Sequence, residues 1–154
     1  MIIEFYKYQG TGNDFIIIDD RYNEFNTEDS SLIAALCERK MGIGADGLIL
    51  LRNHATSDFE MIYFNADGKQ SSMCGNGGRC IVAFAQLLEI IDNSCSFMAI
   101  DGIHQAKIID NEVALQMKDV NAINRDGDAF VLDTGSPHYI SFVENTDAIN
   151  VQKQ

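Results

Sequence analysis

The reactive chemistry in this sequence gathers around one cysteine. In "SSMCGNGGRCIVAFAQLLEII" (residues 71–91), Cys74 stands directly before a glycine-rich turn that runs into apolar sequence. The thiolate is the reactive form of cysteine, and the unpaired N–H groups and dipole of a helix N-terminus stabilise it. The same N–H groups grip an anion, most simply a carboxylate. The small residues Gly75, Gly77 and Gly78 let a ligand come close to that backbone. A thiolate beside a carboxylate site suits proton transfer at a carbon next to a carboxylate. The competing reading is a buried cysteine that packs as a small hydrophobe ahead of a helix.

Other candidates are plainer. Asn13 and Asn65 lie in "GTGNDF" and "FNADG", where asparagine serves turn chemistry and could also touch a ligand. Asp14 and Asp67 read as turn residues for the same reason. His138, after Pro137, could act as a general base, or could simply be exposed or hydrogen-bonded. His54 and His104 have no partners in the sequence. "GIGADG" (residues 42–47) lacks the glycine spacing of a dinucleotide loop. Cys74 and Cys80 lack the close spacing of a zinc pair, and no histidine stands near them, so no metal is expected.

Several elements are needed to place Cys74. Residues 2–6 predict a first strand, 9–15 a glycine-rich turn, and "FIIID" (15–19) a buried strand. "NTEDSSLIAALCERKMG" predicts a helix capped by Thr27 or Ser30 and stopped at Gly42, with Leu32, Ile33, Leu36 and Met41 facing inward. Strands follow at 47–51 and 58–64, then a turn at 65–68. From Cys80 to Ile91 the helix carries polar side chains only at Gln86 and Glu89, which fall close to Arg79, so it must be surrounded. In a chain otherwise rich in strands, the surround is a curved sheet. The expected fold is therefore α+β, a barrel-like mixed β-sheet wrapped around a central apolar helix near 76–91. Strands at 95–100, 104–109 and 112–118 complete it, with a hairpin turn at Asp110-Asn111. A polar linker follows Lys118, and then two strands flank a Gly-Ser-Pro-His turn. Residues 1–118 make one lobe; 119–154 are too few for a second core and read as a linker with the opening strands of an incomplete second lobe.

Composition sets the outer limits. The 154 residues carry a net charge of -12, and hydrophobic residues make up 46%. Such a field repels nucleic acid and anionic membrane surfaces. No apolar run reaches the ~18 residues of a membrane span, and the N-terminus lacks the pattern of a signal peptide, so a cytoplasmic protein is expected. With four cysteines in such a chain, a disulfide framework is not expected.

"GTGNDF", "GIGADGLILL", "FNADG", "CGNGGRC" and "TGSPHY" occur in the order found in diaminopimelate epimerases, and residues 1–143 resemble the N-terminal lobe of that family. The resemblance implies two similar lobes with substrate in the cleft between them. It also implies conversion of LL-diaminopimelate to the meso isomer without pyridoxal phosphate, metal or other cofactor. One thiolate removes the α-proton and a thiol on the second lobe delivers a proton to the opposite face. By this resemblance Cys74 is the first-lobe acid/base thiol, Gly75 and Asn76 hold the reacting end of the substrate, and Asn13 and Asn65 bind it. Gly47 stands where some members carry a substrate-touching glutamine, and Ser136 where many carry asparagine. The second cysteine would lie beyond position 154. Related racemases with paired cysteines, or a catalytically silent lobe that only binds a partner lobe, are the alternatives. An incompletely covered helix would make the isolated lobe self-associate.

Overall fold

The apolar runs at residues 15–18 and 48–51 are continuous rather than alternating, and strands of that kind must be covered on both faces. The computed structural model, which describes residues 2–150, shows how this is met. The chain divides into two compact units, one ending at Met117 and one beginning at Lys118. In the first unit, seven strands pair in sequence order: β1 (Tyr6–Gly10), β2 (Asn13–Asp19), β3 (Gly47–Arg52), β4 (Phe59–Asn65), β5 (Ser94–Ala99), β6 (Gly102–Ile109) and β7 (Glu112–Leu115). Most neighbours are antiparallel. The exceptions, β2 with β3 and β4 with β5, are parallel, and each parallel step is bridged by a helix. Helix α1 (Ser30–Cys37) makes the first crossover and α2 (Gly75–Leu87) the second.

The two helices lie on opposite faces. Ile16, Ile18, Leu48, Leu50 and Phe64 pack with Ile33 and Cys37 of α1. Phe15, Ile17, Ile49, Leu51 and Met61 pack with Ile81, Phe84 and Ala85 of α2. Because β3 and β4 are antiparallel, β2 and β4 run in opposite directions, and right-handed crossovers that step the same way along the sheet must then fall on opposite sides. Helix α2 also touches β1 at one sheet edge and β7 at the other, so the sheet curls around it as a half-barrel. The expected α+β class is the one observed. The expectation of a poorly covered helix is not: Ile81, Val82, Phe84 and Ala85 are fully buried.

Several boundaries differ from those expected. The first strand runs over residues 6–10 rather than 2–6, and the turn behind it is only Thr11-Gly12, both at positive φ, which leaves Asn13 and Asp14 inside β2. Helix α1 is shorter than the pattern suggests. Its N-cap is Asp29, whose carboxylate accepts from Leu32 N–H at 2.9 Å, and it ends at Cys37. The next residues fold back over its last turn, and Met41 stands 92% exposed rather than inward. Helix α2 stops at Leu87, not near 91. There Ile90 N–H reaches Ala85 O and Glu89 N–H reaches Gln86 O, with Glu89 at φ 57. That is a Schellman ending with glutamate where glycine is usual.

The unit that begins at Lys118 holds β8 (Ile123–Asp126), β9 (Ala129–Asp133) and β10 (Pro137–Ile140) as a three-stranded antiparallel sheet. The stretch expected as a plain linker thus contributes a strand and its hairpin turn, with Gly127 at φ 60. Pro137 and His138 belong to β10 rather than to the turn. No helix among the described residues is long and apolar enough to cross a membrane.

One buried charge anchors the connection after β2. Asp20, 3% exposed, accepts from Glu24 N–H at 2.8 Å, Phe25 N–H at 2.9 Å and Arg52 Nε at 2.6 Å. Replacing it strands a half-buried guanidinium and two backbone donors, that of Phe25 buried. Asp20→Ala should lower the unfolding free energy by about 3–5 kcal/mol. A urea titration should show this as a lower midpoint with an unchanged slope.

Candidate active site

Strand periodicity puts the site on the α2 face. Asn13 shares the face of Phe15 and Ile17, Gly47 that of Ile49 and Leu51, and Asn65 that of Met61 and Tyr63. All three stand at the strand ends nearest the start of α2, because Phe15 pairs with Gly47 and Gly47 with Asn65. The chain arrives at this end of the sheet through Met73, which is buried, and turns into the helix at Cys74.

Cys74 is the N-cap of α2. Its Sγ accepts from Gly77 N–H at 3.5 Å, the part serine or aspartate usually plays. The thiol in turn donates to Asn13 Oδ1 at 3.7 Å, and Asn76 Nδ2 donates to the same oxygen at 3.4 Å. So the sulfur accepts a hydrogen bond from one neighbour while its S–H donates to another. Cys74 is half-buried, whereas Cys37, Cys80 and Cys95 are buried. Burial raises the Cys37 thiol, and it pushes Cys80 and Cys95 up to about 11.

The glycines after Cys74 serve packing more than ligand access. A Cβ on Gly77 would lie 3.1 Å from both Ile49 Cδ1 and Met61 Cε, and one on Gly78 would lie 2.7 Å from Met73 Cε and 2.9 Å from Leu115 Cδ2. Both glycines are buried and let the helix start sit down on the sheet. Gly10, at the end of β1, lies equally close to Asn76: a Cβ there would be 3.4 Å from Asn76 Cβ.

Of the five residues expected at the site, Cys74, Gly75, Asn76 and Asn13 are brought together directly. Asn65 lies on the same face across β3, and the Tyr63 hydroxyl donates to its Oδ1 at 2.8 Å. His138 is bonded to Thr134 Oγ1 at 2.9 Å, and His104 is buried against Asp101 at 2.8 Å. The spacing argument passes over Asp46. Its carboxylate accepts from Asn13 Nδ2 at 2.8 Å and from Asp14 N–H at 3.1 Å, and binds Arg39 at 2.7 Å. Nothing in "GIGADG" signals that role, because it depends on the parallel pairing of β2 and β3. Behind it, Asp14 takes Arg39 at 2.7 Å and Lys7 at 2.8 Å.

The curled mixed sheet with a helix inside it is a fold that solved structures share. A Bacillus anthracis phenazine biosynthesis protein of the PhzF family superposes with a TM-score of 0.68 at 14% identity, covering 94% of this chain and 56% of that one. The methylitaconate-delta-isomerase structure gives 0.54 at 11%, covering 85% and 41%. At such identities the likeness concerns the fold. The family model for diaminopimelate epimerase matches residues 5–123. The diaminopimelate epimerase of Flavobacterium psychrophilum is 52% identical over 153 residues, 99% of this chain and 60% of the relative. That of Chlorobaculum tepidum is 44% identical over 151 residues, 92% of this chain and 58% of the relative. The chain belongs to the diaminopimelate epimerase family, and it spans about three-fifths of the length of these relatives.

Two outcomes follow from this geometry. Under limited iodoacetamide at neutral pH, Cys74 should be alkylated first, since the other thiols are buried and two are pushed up to about 11. Peptide mapping that finds another cysteine labelled first would remove the basis for reading Cys74 as the accessible thiol. The second concerns acid. Hydrogen bonding from Arg39, with Lys7 adding to it against a smaller opposing effect of burial, holds Asp14 well below the ordinary carboxylate range. Asp46 is lowered as well, chiefly by the Asn13 amide and then by Asp14 N–H. A carboxylate depressed by folding stabilises the fold above its unfolded value near 3.8 and loses that contribution as pH falls from there through its folded value. Stability measured against pH should therefore drop below about pH 4, and Asp14→Asn should shrink that drop.

Proposed function

We propose that this chain supplies the first half of an epimerase that inverts an α-carbon of diaminopimelate by proton transfer between two thiols, in the pathway to lysine and peptidoglycan precursors. The observation that carries the reading is Cys74 at the α2 N-cap, between an N–H that bonds its sulfur and an oxygen that accepts its proton, in a chain of this family. As thiolate, Cys74 takes the α-proton. The Cα–H bond breaks, an S–H bond forms, and the electron pair spreads onto the adjacent carboxylate. A thiol on the opposite face then gives its proton to form the new Cα–H bond. Preorganised N–H groups at the helix start, Gly75 and Asn76 among them, stabilise the charge on the carboxylate.

Inversion needs a group on each face, and Cys74 occupies one. Cys37, Cys80 and Cys95 are buried away from any second helix start. The 154-residue chain alone is therefore expected to epimerise at a rate lower by about 10²–10⁴-fold, the usual contribution of one acid–base group, and lower still without a closed cleft. A coupled assay with LL-diaminopimelate on the chain and on the whole reading frame that encodes it tests this. The whole frame should be active, and Cys74→Ala in it nearly inactive. Robust turnover by the chain alone, abolished by Cys74→Ala, would show that a single lobe suffices.

A further inference from the structure

Asn13 and Asn65 face α2 from strand ends that flank β3, and each amide has one end fixed by a neighbour on the sheet. Asn13 Nδ2 donates to Asp46 Oδ2 at 2.8 Å, which turns Oδ1 toward Cys74 Sγ and Asn76 Nδ2. Asn65 is held the other way round. The Tyr63 hydroxyl donates to its Oδ1 at 2.8 Å, which leaves the N–H₂ as the group to meet a ligand.

Tyr63 reaches this position because position 47 is glycine. A Cβ built on Gly47 would lie 2.5 Å from Tyr63 Cε2 and 3.1 Å from its hydroxyl, so the ring edge occupies the space a side chain at 47 would need. The backbone forbids that side chain as well, with Phe64 O at 2.5 Å. Phe15 holds the ring edge-on at 5.9 Å between centroids. Burial, with the charges of Cys74 and Asp46 adding to it, pushes the phenol up to about 12, so it stays a donor throughout the working range of pH.

We propose that Asp46 and Tyr63 are positioning residues that lock Asn13 and Asn65 in opposite orientations, so that the site meets its ligand with an oxygen from one strand end and an N–H₂ from another. This rests on the reading of the site as one for an amino acid. A zwitterion satisfies both groups: a carboxylate suits the Asn65 amide, and its ammonium suits the Asn13 oxygen once Cys74 is a thiolate and no longer donates to it. A pure dianion would face an acceptor at Asn13, and a pure dication a donor at Asn65. The strands carrying the two asparagines are two strand spacings apart, about 10 Å. The ammonium and carboxylate they read therefore need not share a carbon.

The test has two parts, with Tyr63→Phe as its central variant because that change keeps the ring over Gly47 and removes only the donor. In the ¹⁵N-labelled chain, wild-type Asn65 Hδ2 protons should point away from the Tyr63 ring, and Asn13 Hδ2 protons should show contacts to Asp46 rather than to Cys74. Tyr63→Phe should move the Asn65 amide pair, and Asp46→Ala the Asn13 pair. Amide contacts in the reverse sense, or an Asn65 pair unmoved by Tyr63→Phe, would overturn the locks. In the whole reading frame, Tyr63→Phe should raise KM for LL-diaminopimelate about tenfold, equivalent to about 1.4 kcal/mol, with kcat changed by less than about threefold. An unchanged KM, or a fall confined to kcat, would refute the positioning role. If the wild-type frame turns over no diaminopimelate, the proposed function fails, and the amide spectra still decide on the locks.

Discussion

The close seating of the α2 N-terminus on the sheet is the constraint from which the rest of the site follows. Gly77 and Gly78 present no side chain to Ile49, Met61, Met73 and Leu115, so the helix start drops to contact distance. Only at that depth does the Cys74 sulfur meet the Asn13 amide at the end of β2. A helix held farther off by one methyl group would still be buried, but its cap would no longer face the strand ends. Interiors are packed densely enough that such a shift cannot be absorbed for free. The core therefore also sets the geometry of the thiol.

The same sheet does two jobs because its two faces are kept separate. On the α1 side, Asp14 is tied to Lys7 and Arg39 and holds the hairpin in place. On the α2 side, the neighbouring Asn13 is bonded to Asp46 and to the Cys74 thiol. Asp46 joins the two, since it binds Arg39 and also the Asn13 amide. Each exposed ion pair in this cluster adds only modestly to stability. Its effect here is orientational, because it decides which end of an amide faces the sulfur.

Much of this was legible in the sequence where the signal is local. The buried strands at 15–19 and 47–51 announce themselves by unbroken β-branched and aliphatic runs, and the mostly apolar stretch after Cys80 requires a surrounding sheet. The hairpin at Asp110-Asn111 follows from residues that tolerate positive φ. The helix ends were not legible, because Glu89 takes the left-handed position normally marked by glycine and because the α1 cap is Asp29 within a run of acceptable caps. Asp46 and Tyr63 were invisible for a different reason. Their partners are brought near by strand register, and register is a property of the assembled sheet rather than of any short window.

The order of the strands also bears on how the chain is made. Strands β1 to β7 pair in the order in which they leave the ribosome, so each new strand finds its neighbour already present. Helix α2 breaks this simple succession. It is covered by β1, synthesised long before it, and by β7, which ends at Leu115. At roughly 5–20 residues per second, the apolar side chains of α2 wait for seconds before that last edge arrives. During that interval a nascent chain carries a sheet with an open seam and an apolar helix beside it, exposed to association until β7 pairs.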